Sequence, residues 1–418
     1  MSNSAVPVVP TSAYQVHPNP PEEVEFHKGI NEEARIKERD RRLEGKLKEN
    51  QQVLLLGAAS HLASHILNKF MEAVPNSHIT LVDSKDPNII FLNPVNRDYK
   101  GSPRIRMKQV SPFDWDWLAG TQNEYNIIIN ASMVHDAEYC HNNPIDSGYR
   151  NPMQAIEFMT ALCRGSGWVS DGRLIIISSD KVYGHQPVGK PTPETAAINP
   201  IGVRACTRAA QEMIQTGIAQ ANGIPYMVLR VGTIHGEFTP REKATNAWCR
   251  ALLMGEPIRM RGRFAKDDSP SRDWIHANDV ASFVAFASLS EWDTSVKNEI
   301  YNLGGCEKHE HFLWNVAEAM KTVLHKGTET QRVDWREPGE RGLRVWMDCT
   351  KVMEKMCFLP TVEFLYALVR RLPIWIAHYE LNWPEGDIIN LKKMLGIRDV
   401  EGARPAPGST AHLGVQSG

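Results

Sequence analysis

The sequence predicts an α/β fold built on a doubly wound parallel sheet, with a smaller, mostly C-terminal lobe. Three observations carry that expectation. The stretch from Gln51 to Ile66 runs from an apolar segment through Gly57 and small residues into a helical pattern. Further apolar runs then alternate with helical periodicity as far as Gly236, as a parallel sheet covered by helices on both faces requires. Beyond Gly236 the alternation breaks, which marks the second lobe.

Taken in order, residues 1–22 are rich in Pro, Ser and Asn and are expected to be disordered. Asn31 to Asn50 is almost entirely charged and reads as a solvated helix, so residues 1–50 form an arm ahead of the folded region. Within 51–236 the expected strands are Val53–Gly57, Ile79–Asp83, Arg104–Val110, Ile127–Ala131, Leu174–Ser178 and Met227–Val231. One helix is expected to start with Asn151 as its cap and Pro152 at its first position, burying Met153, Ile156, Met159 and Leu162. Another runs from Val203 to Ala221 and stops at Gly223 and Pro225. Residues 237–395 form the lobe, with a helix over Thr245–Gly255, one from Asn278, a short strand at Glu299–Leu303 and a helix over His311–Leu324. The segment 272–304 returns to the main sheet. Residues 396–418 read as a disordered tail.

The 418 residues suffice for one large core and a smaller one. A net charge of −2 gives no global pull toward nucleic acid or anionic lipid, and neither is expected as a partner. No apolar run reaches the roughly 18 residues that a membrane span needs. Seven cysteines without paired spacing, and no secretory leader pattern, point to reduced thiols in the cytoplasm. No Cys/His cluster has metal-ligand spacing, so no metal is expected.

Ligands of open parallel sheets bind beyond the carboxyl ends of the strands. That rule places Gly57–Ser60, Asp83, Ala131–Ser132, Ser178–Lys181 and Val231–Gly236 along one crevice. The turn at Gly57, the helix N-terminus at His61 and Leu62, and an acid ending the next strand at Asp83 together suit a dinucleotide. The N–H groups hold its pyrophosphate and the carboxylate its ribose hydroxyls. The match is imperfect. Ser60 and Ala63 stand where glycines are usual, and Ser60 is expected to carry a side chain into the space the pyrophosphate needs.

The stretch Leu174-Ile175-Ile176-Ile177-Ser178-Ser179-Asp180-Lys181-Val182-Tyr183-Gly184 closely resembles the active-site strand of the extended short-chain dehydrogenase/reductases, the NAD-dependent nucleotide-sugar epimerases and dehydratases. More of the pattern follows in order: Pro193-Glu194, Asn199-Pro200, Leu229-Arg230, Gly236, Ser271 to His276 with Asp279, Tyr301 to Gly304, Arg336 to Glu340, Asp348 and Lys351. The resemblance covers roughly residues 51–380. It implies a Rossmann-type fold, NAD as cofactor, a nucleoside-diphosphate sugar as ligand and a homodimer.

That family uses a Tyr-x-x-x-Lys dyad on the helix after Pro200. Here no Tyr occurs anywhere from Gly184 to Pro225. Anchored on Glu212, the two positions hold Arg204 and Arg208; anchored on Asn199-Pro200-Ile201-Gly202, they hold Thr207 and Gln211. Arginine has no free lone pair at neutral pH, and a threonine hydroxyl is a far weaker acid than a phenol. By resemblance, Ser179 would contact the sugar, Asp180 would be an acid, and Lys181 stands where a Glu base is usual. Asp180, Lys181 and Tyr183 are candidates for a replacement base. Gly57, Ser60, His61, Leu62, Asp83, Ala131, Ser132, Arg208 and Gln211 line the expected cofactor site, with Arg204 and Thr207 at the catalytic position. Thr233 falls at a substrate position, and Arg272 and Arg336 match contacts to the nucleotide diphosphate. His235 and His276 read as structural. Two functions remain open: an epimerase or dehydratase with rewired acid/base residues, or a non-catalytic member that binds the same ligands.

Overall fold

A computed structural model describes residues 50–397, apart from 75, 112, 120–124, 135, 165–167, 187–188, 262–269, 295, 307–310, 325–328 and 334–342. All but the last residue of the expected arm and all but the first two residues of the expected tail therefore lie outside the described residues, as does Arg336.

The chain forms β1 (Gln52–Leu56), α1 (His61–Ala73), β2 (His78–Asp83), β3 (Ile105–Gln109), β4 (Tyr125–Asn130), α2 (Pro144–Arg164), β5 (Trp168–Ser179), α3 (Val203–Ala221), β6 (Tyr226–Val231) and β7 (Thr233–His235). After these come α4 (Ala244–Leu253), β8 (Ile258–Arg261), β9 (Ser271–Arg272), β10 (Trp274–His276), α5 (Ala277–Leu289), β11 (Glu299–Leu303), β12 (His311–Phe312), α6 (Leu313–Leu324), β13 (Thr330–Val333) and α7 (Thr350–Met356). A helical run over 364–380 and α8 (Glu385–Met394) close the described chain.

Seven strands make one parallel sheet in the order β3-β2-β1-β4-β5-β6-β11. Strand alternation sorts its apolar residues to two faces. Val53, Leu55, Ile127, Ile129, Ile175 and Ile177 pack with α1 and α5. Leu54, Leu56, Ile128, Leu174 and Ile176 pack with α2 and α3. Both faces are dry, which is why these strands read as unbroken apolar runs. The lobe has its own core, in which Trp248, Leu252, Val316, Met320, Leu368 and Leu391 meet.

Two local expectations fail for identifiable reasons. The helix predicted to start at Asn151 starts at Pro144, and Pro152 lies inside it. Asn151 is buried because its amide serves tertiary structure: Oδ1 accepts from the Val134 N–H at 2.7 Å, and Nδ2 donates to the Thr207 hydroxyl at 3.0 Å. Its buried stripe is Gln154, Ala155, Phe158, Met159, Ala161 and Leu162, so Met153 and Ile156 sit at the margin. The helix expected from His311 begins at Leu313, because His311 and Phe312 pair with β9.

Candidate functional site

The crevice is built from strand ends. Gly57 leaves β1 at φ +79°, a conformation that favours glycine, and a Cβ there would lie 2.7 Å from the Ala131 carbonyl oxygen. The Gly57 turn and the end of β4 therefore touch backbone to backbone. Ser60 has a local role. It is the N-cap of α1, and its Oγ accepts from the Ala63 N–H at 3.2 Å. The N–H groups of His61 and Leu62 precede the first α-helical hydrogen bond and have no intrahelical acceptor. Asp83 at the end of β2 accepts from the Ala59 N–H (Oδ2, 2.9 Å) and the Lys85 N–H (Oδ1, 2.9 Å). A carboxylate offers about four acceptor positions, so two remain. These donors and acceptors fit a dinucleotide.

On α3 the two candidate pairs face different neighbours. Thr207 is buried against α2 through Asn151, and Gln211 donates to the Ser132 carbonyl at 3.4 Å. Ser132 in turn donates to Asn130 Oδ1 at 2.6 Å. Arg208 instead turns to β5, donating from Nη1 to the Ile177 carbonyl at 2.6 Å. One turn on, Glu212 meets Arg230 of β6 at 2.6 Å, both side chains 3% exposed, and accepts from Ser178 Oγ. Arg208 and Glu212 thus share the face toward the β5–β6 end, while Thr207 and Gln211 share the face toward β4.

At the tip of β5, Ser179 Oγ donates to Asp180 Oδ1 at 2.9 Å, and Lys181 Nζ reaches Asp180 Oδ2 at 2.9 Å. Ser179 also caps the short turn that follows, accepting from the Lys181 N–H at 3.3 Å. Asp180 is 1% exposed and Lys181 16%. Burial lowers the Lys181 pKa to about 8; Asp180 opposes this, and the positive charges of Arg272 and Arg204 add to it. Burial and Arg204 likewise bring Arg208 down to about 10. Tyr183 does not suit the base role. Its hydroxyl donates to Asn302 at 2.6 Å and accepts from Arg230 at 3.0 Å, and burial pushes its pKa up to about 12. Thr233 sits half-buried in β7, paired with Trp274. Arg272 donates to the Leu343 carbonyl at 2.8 Å and approaches Lys181 closely enough to lower its pKa.

One group escaped sequence reasoning. His61 and His65, one turn apart on α1, both place Nε2 on the Glu237 carbonyl oxygen, at 3.0 and 3.3 Å. The Glu237 carboxylate bonds His276 Nε2 at 2.9 Å and Arg371 at 2.9 Å. His276 Nδ1 accepts from the Asn278 N–H at 3.2 Å, so the Nε2 proton donates to Glu237. These contacts tie the N-terminus of α1 to the lobe. His276 and His235 are buried, and His276 belongs to this polar link. Among the described residues no three such groups are placed to hold a metal ion. The i, i+4 histidines were the available signal; their partners lie far away in sequence.

With this geometry in view, comparison with known proteins is informative. The profile of the NAD dependent epimerase/dehydratase family matches residues 53–304, more than half of the chain. A trifunctional UDP-glucose 4,6-dehydratase/UDP-4-keto-6-deoxy-D-glucose 3,5-epimerase/UDP-4-keto-L-rhamnose-reductase of Arabidopsis thaliana is 24% identical over 263 residues, covering 60% of this chain. This chain spans only 37% of that relative's length. UDP-glucuronic acid decarboxylase 5 of Arabidopsis thaliana is 24% identical over 328 residues, covering 75% of this chain and 86% of the relative. Among solved structures, a dTDP-glucose 4,6-dehydratase from Streptomyces venezuelae with NAD bound superposes with a TM-score of 0.68 at 19% identity, over 80% of this chain and 99% of that one. A UDP-glucuronic acid 4-epimerase from Bacillus cereus, in complex with UDP-glucuronic acid and NAD, gives 0.67 at 17% identity, over 80% and 100%. At these identities the structural likeness speaks for the fold.

Proposed function

Because this chain belongs to the NAD dependent epimerase/dehydratase family, we propose that it holds NAD and a nucleoside-diphosphate sugar in the crevice at the strand ends. Gly57, His61, Leu62 and Asp83 would hold the pyrophosphate and adenosine ribose, with Ala131, Ser132, Gln211 and Arg208 toward the nicotinamide. When bound, NAD supplies a hydride acceptor beside the sugar. Arg272, with Arg336 from outside the described residues, would take the diphosphate, and Thr233 would border the sugar.

The observation that carries this reading is the Ser179–Asp180–Lys181 group, hydrogen-bonded within the crevice mouth. With a pKa of about 8, Lys181 is about one-quarter neutral at pH 7.5, so it can accept a proton that an ordinary lysine could not. Asp180 holds that ammonium in place, and Ser179 positions Asp180. The face shared by Arg208 and Glu212 supports the register that puts Arg204 and Arg208 at the dyad positions. A guanidinium offers no acceptor lone pair, so Arg204 cannot take up the sugar hydroxyl proton, and little 4-epimerase turnover of neutral UDP-hexoses is expected. A second reading, a ligand-holding member without turnover, is favoured by one feature: Ser179 and Asp180 already satisfy each other. The reading also includes a homodimer, for which Ile145 and Tyr149 on α2 and Met213 on α3 present exposed apolar surface.

Calorimetry tests the cofactor assignment. NADH is expected to bind more tightly than NADPH, because Asp83 repels a 2′-phosphate, and Asp83→Ala should weaken NADH about tenfold or more. Tighter binding of NADPH, or an unchanged Asp83→Ala variant, would refute it. Stopped-flow reduction of bound NAD by a sugar panel, in wild type and Lys181→Met, separates the two readings.

A further inference from the structure

Arg344 has no part in the site built above, yet it is buried, 5% exposed. Its Nη1 has no hydrogen-bond partner among the described residues. A buried N–H without an acceptor costs free energy, so one that persists asks for a reason. The guanidinium lies over the Phe312 ring, its central carbon 5.2 Å from the ring centroid. A contact of this kind holds the cation by its charge and consumes none of its N–H donors.

The backbone fixes where this cation sits. Val345 donates its N–H to Ser271 Oγ at 3.2 Å, and the Leu343 carbonyl accepts from Arg272 Nη1 at 2.8 Å. The residues on either side of Arg344 are thus bound to β9, whose Ser271 pairs with Phe312 of β12. Toward the main sheet, the Arg344 carbonyl accepts from the Gln186 N–H at 3.1 Å, and the Trp346 carbonyl from the Thr192 N–H at 2.8 Å. Arg344 is therefore held between the strand that carries Arg272 and the loop that continues from Ser179, Asp180 and Lys181.

A water molecule would give Nη1 an acceptor but leave the positive charge uncompensated. A phosphate oxygen does both, and the guanidinium presents its donors in a fork that matches phosphate. We propose that Arg344 is a substrate-binding residue that takes a phosphate oxygen of the nucleoside diphosphate, beside Arg272. This rests on the nucleotide-sugar reading above and deepens it with a contact that neither the sequence motifs nor the strand-end rule picks out. Phe312 is the platform that keeps the guanidinium in place.

The test is calorimetric, on the full chain with NADH at saturation. UDP, dTDP and GDP are the probes, against wild type, Arg344→Met and Arg344→Lys. Arg344→Met should weaken the tightest-binding diphosphate about tenfold or more, the effect of losing a charge-assisted hydrogen bond. Arg344→Lys keeps a cation without the fork and should recover part of that loss. The affinity for NADH, measured alone, should not change in either variant. Thermal unfolding checks that each variant is folded, and Arg344→Lys carries the test should Arg344→Met misfold. Unchanged diphosphate affinity in the folded variants, or NADH and diphosphate affinities lost together, would overturn the contact and leave the nucleotide-sugar reading standing. If none of the three diphosphates binds wild type, the nucleotide-sugar reading falls, and the contact with it.

Discussion

Replacing Glu212 with alanine is expected to destabilise the protein by about 3–5 kcal/mol, the usual cost of stranding one partner of a buried ion pair. The partner left behind is Arg230, 3% exposed. Its remaining contacts are the Tyr183 hydroxyl at 3.0 Å, the Glu194 carbonyl at 3.2 Å and the Tyr183 ring beneath its guanidinium. None carries a compensating charge. Ser178 loses its acceptor at the same time. A chain with two cores need not unfold in one step, so the readout is the apparent Tm, expected to drop by roughly 5 °C or more. Glu212→Gln keeps an acceptor for the guanidinium and should cost less. An apparent Tm within about 1 °C of wild type for Glu212→Ala would show that the pair does not brace α3 against β6.

Acid should loosen the same molecule through its histidines. Burial, with the nearby His276, lowers the His65 pKa from 6.5 to about 4, and burial also lowers His61 and His235 well below 6.5. The folded-state values lie below the unfolded ones, so the unfolded chain takes up protons that the native state refuses. Above pH 6.5 both states are neutral and nothing is lost. As pH falls from 6.5 toward 4, stability falls with it, by about 2 kcal/mol at pH 5 from His65 alone. Glu237 is pushed up by burial, yet His276 and Arg371 outweigh this and hold it well below its usual value. It stays ionised through the window and adds little to the slope. The wild-type Tm should fall more between pH 7.5 and pH 5 than that of a His61→Gln/His65→Gln variant. Parallel falls would remove these histidines from the account.

Much of the fold was legible because parallel strands buried on both faces leave apolar runs that need no alternation. Leu174 to Ile177 is the plainest instance, with its side chains packed alternately into two cores. Helix starts were less legible. Asn151 followed by Pro152 has the local chemistry of a cap, but tertiary hydrogen bonds to Val134 and Thr207 claim the amide instead. Ser60 is the converse case, a local cap whose Oγ accepts from the Ala63 N–H. Strand-end rules set Gly57, Asp83, Ser132 and Lys181 at or just past the carboxyl ends of β1, β2, β4 and β5, because topology alone decides that placement. The link through Glu237 was not legible. It joins His61 and His65 of α1 to His276 and Arg371 of distant elements, and only the spacing of the two histidines hinted at it.

The most direct measurement is a crystal structure of the protein with NADH and the tightest-binding nucleotide-sugar at saturating concentrations. The account predicts the adenosine ribose on Asp83, the pyrophosphate at the N–H groups of His61 and Leu62, and the sugar within hydrogen-bonding reach of Lys181. A crevice that stays empty with both ligands present, or a nucleotide bound elsewhere on the molecule, would contradict it.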